Sequence, residues 1–201
     1  MKHLSQYFDR ESQVILMQAV LEVVSLAPLF TPTMPRTGKP FSVRMTNCGS
    51  LGWVSDKTAG YRYQAAHPET GEAWPAIPQI LLELWSKMSG YPGPPEACLI
   101  NVYGPDAKMG LHRDEDENDF SAPVISVSLG DTARFRIGGP KRKDPTRSLD
   151  LVSGDVLLLD GESRLAYHGI DRIKPGTSDL PRGILDEAAR INLTLRRVTL
   201  P

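Results

Sequence analysis

Residues 97–137 read ACLINVYGPDAKMGLHRDEDENDFSAPVISVSLGDTARFRI, a series of short apolar and β-branched runs separated by Gly, Pro and Asp. The same pattern continues towards the end of the chain. The predicted strands of this part are Cys98–Tyr103, Val124–Leu129, Arg134–Ile137, Asp155–Leu159 and Arg190–Val198. Short strands at regular spacing predict a sandwich or barrel, and a double-sheet roll fits them.

The part of the chain before residue 97 predicts two helices and a set of short strands. One helix is expected over Ser12–Leu26, with Ser12 as its cap, and a second over Pro78–Met88, with Pro78 in the first helical position. Their predicted apolar stripes are Val14, Met17, Leu21 and Val24 in the first and Ile77, Leu81, Leu84 and Met88 in the second. Residues 41–64 predict short strands joined by turns, and the polar segment Asp171–Glu187 predicts a long loop.

Composition describes an ordinary globular chain with no bulk affinity for nucleic acid. The 201 residues suit one domain, 40% of them are hydrophobic, and the formal net charge is -1. Any nucleic-acid contact must therefore come from a local basic patch. Cys48 and Cys98 predict small buried thiols in a reducing compartment, with a single bridge as the weaker alternative. No signal peptide or membrane span is evident, and we expect a cytoplasmic protein.

Two histidines and one aspartate are candidate metal ligands. His112 and Asp114 are two residues apart, so in extended chain both side chains can reach one ion, and His168 follows a later β-like run. Two imidazoles and one carboxylate on one face of a metal form the arrangement of non-haem iron(II) oxygenases. The alternative is that His112 is a surface residue and His168 a hydrogen-bonded core residue.

The last predicted strand alternates strictly between apolar and polar residues. Ile191, Leu193 and Leu195 point one way, and the polar set points the other. The polar set is Arg190, Asn192, Thr194 and Arg196, with Asn101 and Tyr103 sharing one face of another strand. Such a face is either solvated or a cradle for a small dicarboxylate, because arginine grips carboxylates bidentately.

In this order the motifs Asn101-x-Tyr103, His112-x-Asp114, His168 and Arg190-x-Asn192-x-Thr194-x-Arg196 resemble the bacterial AlkB family of alkylated-nucleic-acid dioxygenases. The resemblance extends over roughly residues 41–196. Further family-like segments are Met45–Gly49, Leu51–Trp53, Tyr61–Tyr63, Ala122–Pro123, Ser126–Gly130, Lys141–Arg142 and Gly161–Leu165.

The resemblance implies an α+β, mainly β fold with a double-stranded β-helix (jelly-roll) core, N-terminal helices and a nucleotide-recognition lid. Residues 1–201 would form a single catalytic domain, with the helices and lid in about 1–96 and the jelly-roll core in about 97–201. His112, Asp114 and His168 would hold Fe(II), with O2 as a co-substrate. The residues expected to hold the other co-substrate, 2-oxoglutarate, are Asn101, Tyr103, Arg190, Asn192 and Arg196.

The resemblance also implies a pocket for a flipped-out base. Trp53 and His112 would sandwich the base, and Asp116 would accept a hydrogen bond from its exocyclic amine. The other residues expected at this pocket are Met45, Tyr61, Tyr63 and Arg142. For a lone Trp a core position is the competing reading, and one of the two tyrosines can be backbone support instead.

The expected partner is alkylated single- or double-stranded DNA, with RNA as the alternative, and we expect no membrane contact and no obligate protein partner. Candidate phosphate contacts are Lys108, Lys141, Arg142, Lys143 and Arg147, although such a charge run is often only a solvated face. Two rival functions stay open. One is an oxygenase acting on a protein side chain or small metabolite, and the other is a non-catalytic double-sheet module with a structural metal.

Overall fold

The fold is that of a computed structural model that describes residues 1–180 and 190–200. Within these ranges the helices are α1 (Arg10–Leu26) and α2 (Gln79–Met88), and a short 3-10 helix covers Gly161–Ser163. The strands are β1 (Lys2–Leu4), β2 (Val43–Gly49), β3 (Gly52–Asp56), β4 (Gly60–Gln64), β5 (Ala97–Tyr103), β6 (Met109–His112), β7 (Val124–Gly130), β8 (Thr132–Ile137), β9 (Arg147–Leu151), β10 (Val156–Leu159), β11 (His168–Lys174) and β12 (Arg190–Arg196).

Two antiparallel sheets form the body of the fold, as the predicted double-sheet roll requires. The larger sheet has the strand order β1-β10-β7-β12-β5-β2, and the smaller has the order β6-β11-β8-β9. The β3–β4 hairpin is a separate two-stranded sheet. The fold class is thus confirmed as mainly β with a jelly-roll core and N-terminal helices. Strands β1 and β2, from the first 96 residues, belong to the larger sheet.

The alternation predicted for the last strand separates two environments. Ile191, Leu193 and Leu195 pack in the core between the larger sheet and the two helices. Residues of the opposite parity face the space between the sheets, where a second core includes Tyr103 and Phe135. This arrangement directs the polar side chains of β12 into the interior of the roll and not into solvent.

Both predicted helices are present, but their ends and the first stripe differ from the prediction. Asp9 caps α1 by accepting a hydrogen bond from the Ser12 backbone N–H at 2.9 Å, so Ser12 is not the cap. Pro78 precedes α2 instead of occupying its first turn. The buried residues of α1 are Gln13, Leu16, Val20 and Val23, one position before each predicted member of the stripe. Because apolar residues stand next to each other in this segment, the sequence does not determine which face of the helix is buried.

Four strands were not predicted, namely β1, β6, β9 and β11. Strand β11 corrects the start of the predicted long loop, because ordered pairing continues to Lys174. A register shift between Ile170 and Arg172 breaks the alternation that would have revealed the strand. The end of that predicted loop, residues 181–187, lies outside the described residues. Cys48 and Cys98 are cross-strand partners and are both buried and free.

No helix in the described ranges is long and apolar enough to cross a membrane.

Candidate active site

His112, Asp114 and His168 meet at the edge of the smaller sheet. His112 ends β6, His168 begins β11, and the two are directly paired in the strand register. One ligand atom from each of the three residues lies within 4.8 Å of the others. His112 Nε2 is 4.0 Å from Asp114 Oδ1, and His168 Nε2 is 3.8 Å from Asp114 Oδ2. The structure therefore brings together the three predicted metal ligands.

A glycine allows the two histidine strands to approach. A Cβ atom added to Gly169 would lie 2.5 Å from the Met109 carbonyl oxygen and 2.9 Å from that of Gly110. Any larger residue would push β6 away from β11 and separate the paired histidines. This close approach explains why glycine follows His168 in the sequence.

The other ring nitrogen of each histidine is held by the backbone. His112 Nδ1 is 2.9 Å from the Gly110 carbonyl oxygen, and His168 Nδ1 is 3.0 Å from that of Ala166. A carbonyl oxygen only accepts, so each Nδ1 carries the proton and each Nε2 keeps its lone pair for a metal.

The charge states of the buried ligands also suit a cation. Burial lowers the pKa of His168 to about 4, and the nearby Asp114 carboxylate only partly opposes this. Burial by itself would raise the pKa of Asp114, but Arg196 and both histidines hold it well below its usual range. At neutral pH His168 is thus neutral and Asp114 is ionised. These are the protonation states that metal coordination needs.

The polar side chains of β12 and β5 line a cavity of about 540 Å³ that the three metal ligands also line. The register pairs Arg190 with Tyr103 and Asn192 with Asn101. Arg196 Nη2 donates to Asp114 Oδ1 at 2.8 Å, so one end of this row adjoins the metal cluster. The predicted parity of both strands is confirmed, although Thr194 donates to Asn192 within the row.

Arg190 is a buried cation with few partners. Its Nη2 donates to Ser128 Oγ at 2.8 Å, and no carboxylate among the described residues pairs with it. Burial disfavours the charged form of both side chains of this pair. It lowers the pKa of Arg190 to about 10 and raises the pKa of the adjacent Tyr103 to about 12. The Nε of Arg190 and the Oδ1 of Asn101 are buried without a hydrogen-bond partner.

These observations test whether the site fits iron and 2-oxoglutarate. The Nε2 atoms of two imidazoles and a carboxylate oxygen lie close together, which suits Fe(II) with open coordination positions. Beside them, two buried guanidinium groups and a phenol offer donors that a dicarboxylate would satisfy. The residues present fit both groups.

The six residues predicted for a base pocket line this cavity as well, namely Met45, Trp53, Tyr61, Tyr63, Asp116 and Arg142. Trp53 and Tyr61 are stacked, with ring centroids 5.5 Å apart, and Tyr61 is 50% exposed at the rim. Trp53 Nε1 donates to Asp116 Oδ2 at 2.8 Å. Burial raises the pKa of Asp116, and this hydrogen bond only partly opposes the effect.

The two tyrosines of the hairpin differ in their surroundings. Tyr61 reaches solvent, whereas the Tyr63 hydroxyl donates to Glu117, and burial raises the pKa of Tyr63 well above its usual value. Trp53 contacts the rings of Phe41 and Tyr61, lines the cavity and is only half-buried, so it is not a plain core residue.

Several residues at the site were not predicted from the sequence. They are Met34, Phe41, Arg113, Glu117, Tyr167 and, next to the cavity, Arg164. Arg164 lies in the family-like segment Gly161–Leu165, but the resemblance implies no role for this residue. Arg113 and Tyr167 each adjoin a histidine of the cluster, and this adjacency is the signal that could have found them.

The fold and this site define a 2-oxoglutarate- and iron-dependent oxygenase, and the model of the 2OG-Fe(II) oxygenase superfamily matches residues 1–196. A curated relative from Caulobacter vibrioides, the alpha-ketoglutarate-dependent dioxygenase AlkB homolog, is 55% identical over 189 residues, covering 94% of this chain and 83% of the relative. The chain belongs to the AlkB family within this superfamily. It is an Fe(II)/2-oxoglutarate-dependent dioxygenase that uses O2.

Two further comparisons extend the family likeness. The solved structure of OsALKBH1 superposes with a TM-score of 0.77 at 31% identity, covering 97% of this chain and 95% of that one. The DNA N(6)-methyladenine demethylase ALKBH1C of Arabidopsis thaliana is 40% identical over 111 residues, which are 51% of this chain and 24% of that protein.

Proposed function

We propose that this protein removes alkyl groups from nucleic-acid bases by oxidation of the alkyl carbon. The observation that carries the proposal is the shared cavity, which is lined both by aromatic side chains of the β3–β4 hairpin and by the His-Asp-His cluster. The name of the Arabidopsis relative, a DNA demethylase, supports the same substrate class. Residues 1–201 would act as one catalytic domain, with the hairpin as the lid.

His112, Asp114 and His168 would hold Fe(II) through the atoms that already converge. Arg190, Asn192 and Arg196 from β12, with Asn101 and Tyr103 from β5, would hold 2-oxoglutarate. When bound, the iron supplies the oxidation chemistry: 2-oxoglutarate and O2 yield succinate and CO2, one oxygen atom hydroxylates the alkyl carbon, and the product collapses to base and aldehyde. The protein contributes binding, orientation and a dry cavity.

The base would leave the helix stack and enter the cavity between Trp53 and His112. Extrusion costs a few kcal/mol, and stacking on an aromatic face returns about 1–3 kcal/mol per base. Tyr61, Tyr63 and Met45 would form the remaining walls. Asp116 would accept a hydrogen bond from the exocyclic amine through Oδ1, because the Trp53 indole already donates to Oδ2.

The rim of the cavity carries a local basic patch of the kind that the near-neutral net charge demands. Arg113 and Arg142 lie over the ring of Tyr167, with their Cζ atoms 5.5 and 5.8 Å from its centroid. Arg142 also donates to the Leu111 carbonyl oxygen at 2.7 Å, so its guanidinium is held in place. These arginines would contact the phosphates beside the flipped nucleotide, and Lys108 lines the same cavity.

The proposed partner is alkylated single- or double-stranded DNA, with RNA as a second backbone to test. The test incubates the protein with Fe(II), 2-oxoglutarate, O2 and a panel of methylated oligonucleotides in both backbones. Succinate and formaldehyde should form together and in equal amounts. Unmethylated oligonucleotides of the same sequence are the control.

Two outcomes would overturn the proposal. Succinate formation that responds to a protein or metabolite acceptor and to no methylated oligonucleotide would assign the oxygenase another substrate class. A protein that binds iron and gives no turnover with any acceptor would be a binding module.

A further inference from the structure

Glu117 is a buried carboxylate at the junction of the two halves of the site. Its side chain is only 4% exposed, and three donors surround it. The Tyr63 hydroxyl and the Arg164 guanidinium donate to Oε1 and Oε2 respectively, the latter at 3.1 Å. Arg196 Nε lies 3.3 Å from Oε1, the oxygen that Tyr63 also uses. One carboxylate oxygen thus contacts the hairpin and β12 at once.

Arg164 holds this carboxylate and the loop around it. It is 2% exposed, and besides Glu117 it donates to the carbonyl oxygens of Asp114 and Ala122 at 2.8 and 2.9 Å. All of its donor nitrogens therefore point at the segment from Asp114 to Ala122. Its guanidinium also lies over the ring of Phe120, 5.4 Å from the centroid. A planar fork is required for such a set of contacts, which lysine cannot reproduce.

The charges of this cluster balance only as a group. Asp114 and Glu117 are two buried anions, and Arg164 and Arg196 are two buried cations. Removing one member leaves a buried charge of the opposite sign without its partner. Without the Glu117 charge, Arg196 would keep Asp114 as its one acidic partner, and it would turn towards that ligand and away from its place beside 2-oxoglutarate.

We infer that Glu117, fixed by Arg164, is a positioning residue that aligns the base pocket with the 2-oxoglutarate site. The inference rests on the proposed function for the roles of Tyr63 and Arg196. Through Glu117, the position of the hairpin determines where the Arg196 guanidinium sits, although Tyr63 does not itself contact Arg196 by a hydrogen bond. A protein whose hairpin is displaced from Glu117 would bind 2-oxoglutarate less tightly and would consume it without oxidising the base.

The test is a double-mutant cycle of Tyr63→Phe and Glu117→Gln, read as 2-oxoglutarate affinity. Calorimetry on the manganese(II)-loaded protein under argon gives this affinity without turnover and without nucleic acid. Tyr63→Phe removes one hydroxyl and should weaken 2-oxoglutarate binding about five-fold, and Glu117→Gln about ten-fold or more. In the E117Q background, Tyr63→Phe should have no further effect. Glu83→Gln is the control, because this carboxylate on α2 is exposed and does not line the cavity.

A second readout is the molar ratio of succinate to formaldehyde with a methylated oligonucleotide. The ratio should rise above one in Tyr63→Phe and Glu117→Gln and stay at one in Glu83→Gln. Independent, additive effects on 2-oxoglutarate affinity, or an unchanged affinity in Tyr63→Phe, would overturn the inference. If Glu117→Gln does not fold, an unchanged affinity in Tyr63→Phe still overturns the inference. Because the calorimetry needs no nucleic acid, it stays decisive even if wild-type protein turns over no oligonucleotide and the proposed function fails.

Discussion

Replacing Arg190 with Met should stabilise the ligand-free protein and at the same time weaken its binding of 2-oxoglutarate. The guanidinium is 1% exposed, and burial lowers its pKa from 12.5 to about 10. At roughly 1.4 kcal/mol per pKa unit, this shift corresponds to about 3 kcal/mol of unfavourable burial of the charge. Losing the hydrogen bond to Ser128 costs about 1 kcal/mol, which leaves a net gain of about 2 kcal/mol in the free energy of unfolding.

The pH dependence of this gain follows from the direction of the shift. The folded protein binds the proton of Arg190 less tightly than the unfolded chain does, because the folded pKa is depressed. The penalty is therefore complete below about pH 10 and is lost as the pH rises towards 12.5. Urea unfolding of metal-free wild type and Arg190→Met at pH 8 measures the whole difference.

The same substitution removes the proposed partner of one 2-oxoglutarate carboxylate. Two charge-assisted contacts at about 1.5–3 kcal/mol each amount to about 3–6 kcal/mol, or a loss of roughly a hundred- to ten-thousand-fold in affinity. Calorimetric titration of the manganese(II)-loaded protein measures it. Arg134→Met is the control, since Arg134 is partly exposed and pairs with Asp150 on the outer face of β8. A less stable Arg190→Met protein, or one that still binds 2-oxoglutarate as wild type does, would refute the reasoning.

His112→Ala or Asp114→Ala should abolish turnover and weaken metal binding, measured by manganese(II) titration; unchanged affinity would remove either residue from the ligand set. Arg142→Ala should weaken binding of all oligonucleotides alike and reduce the slope of log Kd against log salt by about 1, whereas a steady slope would exclude a phosphate contact. Asp116→Ala should spare uncoupled succinate formation and change base preference, and loss of iron binding would contradict its role. Leu193→Ala should lower the free energy of unfolding by about 3 kcal/mol in urea, because this side chain is fully buried.

The strands with strict alternation were predictable because parity determines which side chains share a face. Arg190 and Arg196 could be assigned to one side of β12 from the sequence, and the fold turned that side towards the cavity. The convergence of His168 with His112 needed the pairing of β6 with β11, and neither strand was predicted. The family resemblance supplied that link, since local periodicity could not.

The burial and the contacts of side chains that pack against loops could not be predicted from the sequence. Glu117 lies in an acidic run without periodicity. The sequence does not distinguish it from its solvated neighbours, and only the fold shows that it is buried. Arg164 follows Asp160 and Glu162 in a short polar segment, and its three partners come from a loop some forty to fifty positions earlier. The predicted buried face of α1 was wrong for a different reason, because the apolar residues of this helix cover more than one face.

The most direct test of the account follows the intact mass of a methylated oligonucleotide during turnover. With Fe(II), 2-oxoglutarate and O2 all present, the mass should return to that of the unmethylated strand, one methyl group for each succinate formed, and omission of any one of the three should prevent the change. An unchanged oligonucleotide mass while succinate accumulates would contradict oxidative dealkylation by this protein.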